Sequence, residues 1–437
     1  MPDELLTTQA LAPILRSVAN LVPGPSLPID ELTVSGQASF SSAFDVNTAA
    51  LVAAALPNLA AGVTTLDRDR VAATFACHVE IDGEPIPKWA DLSGMYRTAD
   101  NGFIQFHCNF PHHREGVIAV LGCEPTKEAV QDAVLQHDAE TLESELIDVG
   151  MIAARLRTMD EWDAHPHAHA TRDLPLISVE QIGEAAPRDA SQRLRVLDCS
   201  RVLAGPVAGM TMAAHGAQVL RIGSPHLPSV AICVASTGSG KRNAFADLST
   251  PTGTQSFSEL LSGGDVWIDA YRPGAFAHHG FDIDRVTPGS ITVQLSAFDW
   301  IGPWAQRRGF DSIVQTTTGI GAEGMAQSGS SQPVPLPVQA LDYCTGLLAA
   351  FAAQQLAAHQ REHGGTWLAR LSLLRTRNWL TQLKTPRPFT PSPPTYGPET
   401  LQTVASPLGA ITLAKPLGGN WSTPPMPLGS SDPAWIE

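Results

Sequence analysis

Between residues 195 and 372 the chain alternates short strand-like runs with helix-length segments, and this alternation constrains the fold more than any other feature of the sequence. Arg195 to Ser200 (RVLDCS) reads as a strand, Gly205, Pro206 and Gly209 open a helix to about His215, and Ala217 to Ile222 (AQVLRI) reads as the next strand. Asp265 to Tyr271 and Ile291 to Phe298 are further strands. A long apolar helix from Asp342 to about Gln360 ends at Gly364-Gly365 and leads to a strand at Trp367 to Ser372. The pattern predicts a mainly parallel sheet with helices on its faces, whose ligands gather at the strand carboxyl ends.

A chain of 437 residues holds more than one such unit. Residues 1–80 carry short apolar helical stretches, the clearest at Thr48 to Leu56, and say little about function. Residues 81–190 change character: Tyr96 to Asp100 reads as a strand, Asn101-Gly102 as a hairpin turn, and Phe103 to His107 as the return strand. Helices follow around Arg114 to Leu121 and Ala139 to Arg155, making a small α+β unit. The polar stretch Pro187 to Arg193 marks a boundary, so the α/β unit spans residues 191–384. Residues 385–437, rich in Pro, Gly and Ser, read as an extended arm.

Composition narrows the class of function. A formal net charge of -15 supplies no global basic field, which argues against wrapping nucleic acid or an anionic membrane. Any anionic ligand is held locally. The six cysteines show no CxxC pair, so neither a zinc knuckle nor a disulfide framework is expected, and a cytoplasmic protein fits. The first residues lack a basic, apolar leader, and no run of about 18 apolar residues occurs.

Several motifs carry two readings. Gly238-Ser239-Gly240-Lys241 lacks the spacing of a Walker A loop, but a glycine-flanked Lys241-Arg242 pair suits phosphate contacts as well as a solvated turn. Gly205 and Gly209 lack the dinucleotide spacing, which disfavours NAD. His165, His167 and His169 would share one face of a strand and could bind a metal, or lie in a surface loop. Asp342, at the start of the long helix, reads as an N-cap or as an oriented nucleophilic carboxylate.

Six blocks in order resemble the family III CoA-transferases, the CaiB/BaiF group: 195–216, 217–225, 240–248, 271–282, 295–319 and 336–350. Tyr96 to His112 and Arg157 to Ala170 resemble that family's small domain and return segment, which normally follow the large domain and here precede it. The resemblance implies an α/β fold, with a Rossmann-like large domain, a smaller α+β domain and a permuted order. It also implies a homodimer acting on an acyl-CoA and a free carboxylic acid, with coenzyme A carried as the acyl-CoA substrate and no metal.

By position, Asp342 matches the family's catalytic aspartate, and Arg221, Lys241, Arg242 and Arg272 fall in blocks that line the CoA site. Leu203 replaces a glutamine found in formyl-CoA transferases. Phe310 and Phe110 stand where a racemase branch carries its histidine and glutamate. The expected reaction is CoA transfer through an aspartyl acyl anhydride, with Asp342 ionised at its ordinary pKa of about 3.9 and oxyanion donors from a loop such as Gly319 to Gly324. The alternatives are a 2-methylacyl-CoA racemase of the same fold and a non-catalytic acyl-CoA binder.

Overall fold

The structure, a computed structural model, describes residues 7–189 and 192–437. Its main sheet has seven strands: β1 (Ser178–Gly183), β2 (Arg195–Cys199), β3 (Gln218–Gly223), β4 (Lys241–Phe245), β5 (Val266–Asp269), β6 (Ile291–Ser296) and β7 (Thr366–Ser372). Their order across the sheet is β4-β3-β2-β5-β6-β7-β1, and every pair is parallel except β7 with β1. Parallel neighbours need crossovers, and helices supply them between β2 and β3, β3 and β4, and β4 and β5. The central strands are accordingly apolar on both faces, with Val196, Leu197, Ile268 and Val293 almost without exposure. β1 lies before the expected boundary at residue 190, yet it forms the antiparallel edge of the large sheet.

Four helices set up the site: α1 (Val46–Ala60), α2 (Ala204–Ala214), α3 (Asp311–Thr317) and α4 (Ala340–His363). α4 is apolar around most of its circumference, and a helix of that kind is stable only when surrounded. α2 packs on it from the α/β unit and α1 from the N-terminal segment. Residues 46–60 therefore belong to the same core as the sheet. The backbone of α4 approaches α2 closely at Gly346, where a Cβ would stand 2.3 Å from the Ala204 carbonyl oxygen.

The small unit pairs strands Gly94–Arg97, Phe103–Phe106 and Ala153–Arg155 in an antiparallel sheet. The helix expected to reach Arg155 stops at Asp148, because Gly150 takes a left-handed conformation and the chain turns into the third strand. The unit docks on the large one through charge. The carboxylate of Glu143 accepts hydrogen bonds from Arg157 at 2.6 and 3.0 Å and from Arg307 at 2.8 Å.

Two further expectations change in the structure. The tail is more than an extended arm: Leu401–Ser406 and Gly409–Ala414 form a hairpin whose second strand pairs with Val79–Ile81. Residues 166–171 form a short helix, so the three histidines do not alternate on a strand, and His167 is buried with Nε2 2.7 Å from the Phe298 carbonyl. Among the described residues no His, Cys, Asp and Glu cluster is placed to hold a metal. Among them, too, no helix is long and apolar enough to cross a membrane.

Candidate active site

From β2 the chain passes to β3 and β4 on one side of the sheet, then returns across it to β5 on the other side. The connections leaving the carboxyl ends of the paired strands β2 and β5 therefore run to opposite sides, which opens a crevice in sheets of this kind. A cleft of about 440 Å³ lies there, lined by residues following β2, β5, β6 and β7 and by the start of α4. The turn from β2 into α2 places the β-branched Val202 at a φ of 67°, a conformation costing ~1–3 kcal/mol. That turn directs the amino end of α2 at the cleft.

Asp342 lines this cleft and is 8% exposed. It is the third residue of α4 and does not cap it; Gln339 occupies the N-cap position without a side-chain bond. Asp311, the first residue of α3, does the capping, and its carboxylate accepts the backbone N–H of Asp342 at 2.9 Å and that of Leu341. Gln315 Nε2 donates to the same carboxylate. The carboxyl of Asp342 is directed instead to the backbone N–H of Ala204, the first residue of α2. Asp311 thus caps a helix other than its own.

These surroundings overturn the ordinary ionisation expected of Asp342. Burial, and then the charge of Asp311, push its carboxyl well above the usual range, opposed by the Ala204 N–H. Burial also pushes Asp311 up to about 6. Two buried carboxyls this close share their titration, and full charge on both is unfavourable.

The expected cations divide. β4 begins at Lys241, so Lys241 and Arg242 are neighbours on a strand and project to opposite faces. Lys241 turns inward, 1% exposed, with Nζ 2.9 Å from Asp198 and 3.0 Å from the Pro206 carbonyl. Arg242 turns outward and donates to the carbonyls of Ala434 and Asp432 in the C-terminal tail. The pair expected to grip a phosphate together is separated by strand geometry. Arg221, on β3, lines a narrow crevice beside the cleft, with its Nη1 buried and unpartnered. Arg272 follows β5, is exposed, and lines the cleft itself.

Other cleft residues went unflagged in the sequence. Arg201, Arg307, Arg308, His112 and His113 all line it. Arg307 and Arg308 fall inside the 295–319 block, but nothing in a lone sequence separates them from surface arginines. Phe110, Phe310 and Leu203 do face the cleft, and the His107 ring stacks on Phe310 with centroids 3.9 Å apart. Gly319 to Gly324 do not: Ile320–Ser328 is a helix outside the cleft, with Gly319 against the Met159 backbone. Ala204 and Gly205, in the first turn of α2, do line the cleft.

Residues 192–399 match the family model of CoA-transferase family III. That stretch is similar to a CoA-transferase family III domain. Relatives are similar at modest identity. The acetyl-coenzyme A transferase nodX of Hypoxylon pulicicidum is 28% identical over 324 residues, covering 67% of this chain and 54% of that one. The succinate–glutarate CoA-transferase of Agrobacterium fabrum is 30% identical over 194 residues, covering 39% and 48%. The chain spans about half the length of the relatives it matches. A solved structure of the hypothetical protein Rv3272 from Mycobacterium tuberculosis superposes with a TM-score of 0.38 at 26% identity, over 45% of this chain and 58% of that one.

Proposed function

We propose that the chain is an acyl-CoA:carboxylate CoA-transferase working through an anhydride at Asp342. The observation that carries this reading is the buried Asp342 carboxyl, presented to a cleft at the sheet's switch point and held by the amino end of α2. An Asp342 oxygen attacks the thioester carbonyl, the C–S bond breaks, and CoA leaves as thiolate, giving an acyl-aspartyl anhydride. The thiolate then attacks the aspartyl carbonyl, releasing the donor acid and leaving an aspartyl-CoA thioester. The acceptor carboxylate displaces the thiolate to form a second anhydride, and the thiolate attacks the acceptor's carbonyl, restoring Asp342.

A raised pKa makes the carboxylate, once formed, a better nucleophile than an ordinary aspartate, while reducing its ionised fraction. The first-turn N–H of Gly205, which lines the cleft, supplies an oxyanion donor in this reading. Arg272 and Arg221 are the cations offered to the CoA phosphates. The same reading takes the working form as a cytoplasmic homodimer, with the small-domain half of the family fold placed before the large-domain half.

Hydroxylamine added during turnover traps an acyl-activated aspartate as a hydroxamate. Mass mapping that finds the modification on the Asp342 peptide supports the scheme, and turnover with no hydroxamate there refutes it. A 2-methylacyl-CoA racemase is the second reading, favoured by one observation: His113 and Asp342 line the same cleft. Transfer chemistry predicts no solvent deuterium at the α-carbon of a 2-methylacyl-CoA, and rapid incorporation would select the racemase.

A further inference from the structure

Three arginines in the cleft lack what Arg307 has. Arg307 is neutralised by Glu143 at 2.8 Å. Among the described residues, no carboxylate forms an ion pair with Arg201, Arg272 or Arg308. Arg272 stands exposed, but Arg201 and Arg308 are partly buried. The Arg201 guanidinium lies over the Phe110 ring at 5.0 Å and donates to the Pro228 carbonyl. Arg308 is tied to the Gly150 carbonyl at 3.1 Å. Both are therefore anchored through neutral groups, with their charge uncompensated.

His113 sits beside them. It is 3% exposed, lines the cleft, and packs edge-on against Phe110 at 5.5 Å, yet neither ring nitrogen has a hydrogen-bond partner. A buried imidazole with two unsatisfied nitrogens is costly unless a ligand completes it. Burial, then the neighbouring His112, Arg308 and Arg201, lower its pKa to about 4, so at neutral pH it carries one N–H and no charge.

We propose that His113, Arg201 and Arg308 form a carboxylate subsite for the second, non-reacting carboxylate of a dicarboxylic substrate. The reacting carbonyl must lie at Asp342, whose carboxyl is directed to the Ala204 N–H and is paired with none of these cations. A separate anionic group is therefore needed to answer them. The buried wall, with a planar guanidinium fork and a single imidazole N–H, suits a carboxylate, whereas exposed Arg272 is left for the bulkier phosphates of CoA. The subsite rests on the transferase reading for its role in turnover, but not for binding.

The test is calorimetric titration of the full chain with glutarate and with pentanoate, which match in length and differ by one carboxylate. The expected result is at least tenfold tighter binding of glutarate. Arg308→Gln and His113→Gln should each remove most of that preference while leaving pentanoate affinity within twofold, and Arg308→Lys should retain part of it. Circular dichroism checks that each variant is folded. Equal affinities in the unaltered protein overturn the proposal with no variant needed. Inorganic phosphate displacing glutarate more tightly than glutarate itself binds also overturns it and assigns the cluster to CoA. Discrimination between the acids in a chain that fails every transfer assay leaves the subsite standing and removes the transferase reading.

Discussion

The carboxylate of Asp311 accepts the backbone N–H of Asp342 at 2.9 Å, so the residue that caps the central helix is not on that helix. This frees the Asp342 side chain for the cleft and places two buried carboxyls in one electrostatic unit.

Asp342→Asn should separate structure from chemistry. The amide keeps an oxygen to face the Ala204 N–H, and the cap on α4 is untouched because Asp311 supplies it. Thermal stability should hold or rise, since a neutral group replaces a buried carboxyl. CoA transfer, measured by mass spectrometry of products, should fall by several orders of magnitude. Near-normal transfer would show that Asp342 is not the nucleophile.

The Asp311 carboxyl is raised by burial to about 6, so its sign in the stability balance is set. A group raised on folding contributes stability in full below its unfolded pKa and loses it as pH rises through the folded value. Unfolding free energy should therefore decline between about pH 4 and pH 6, by on the order of 3 kcal/mol from this group. Asp311→Asn should flatten that decline in urea titrations. It should also move the acidic limb of the transfer rate to lower pH, because the like charge beside Asp342 is gone. An unmoved limb contradicts the coupling.

Lys241 and Arg272 should behave oppositely. Lys241→Ala strands the buried Asp198 carboxylate and should cost about 3–5 kcal/mol in chemical denaturation. Arg272→Ala should leave stability within about 0.5 kcal/mol and weaken CoA binding, read by calorimetry, by about tenfold or more. If Lys241→Ala lowers CoA affinity at unchanged stability, the lysine faces the ligand after all.

Glu143 joins the small unit to the large one. Glu143→Ala leaves Arg157 and Arg307 buried without a counter-charge, with an expected loss of about 3–5 kcal/mol. Hydrogen exchange should show the added opening concentrated in residues 94–155 and 307–317. A uniform, small effect would mean that the units are held by apolar contact instead.

The strand and helix alternation of residues 195–372 was legible in the sequence because period and composition are local properties, and each predicted strand appeared within a few residues of its place, whereas β4 (Lys241–Phe245) was read as a glycine-flanked loop. So was the Asp342 position, through its block. The sequence alone did not determine what surrounds that carboxyl. The Asp311 cap, the Ala204 N–H and the Arg307–Glu143 pair join residues 31 to 164 positions apart, and only packing decides such encounters. Lys241 and Arg242 show the same limit at short range. As neighbours in a glycine-flanked motif they looked like one binding pair, and the strand pleat sent one to Asp198 in the core and the other to the tail. Local pattern determined most of the elements that form and that an aspartate falls in the first turn of the central helix. Burial and long-range pairing, which set pKa values and direct side chains, existed only once the chain had folded.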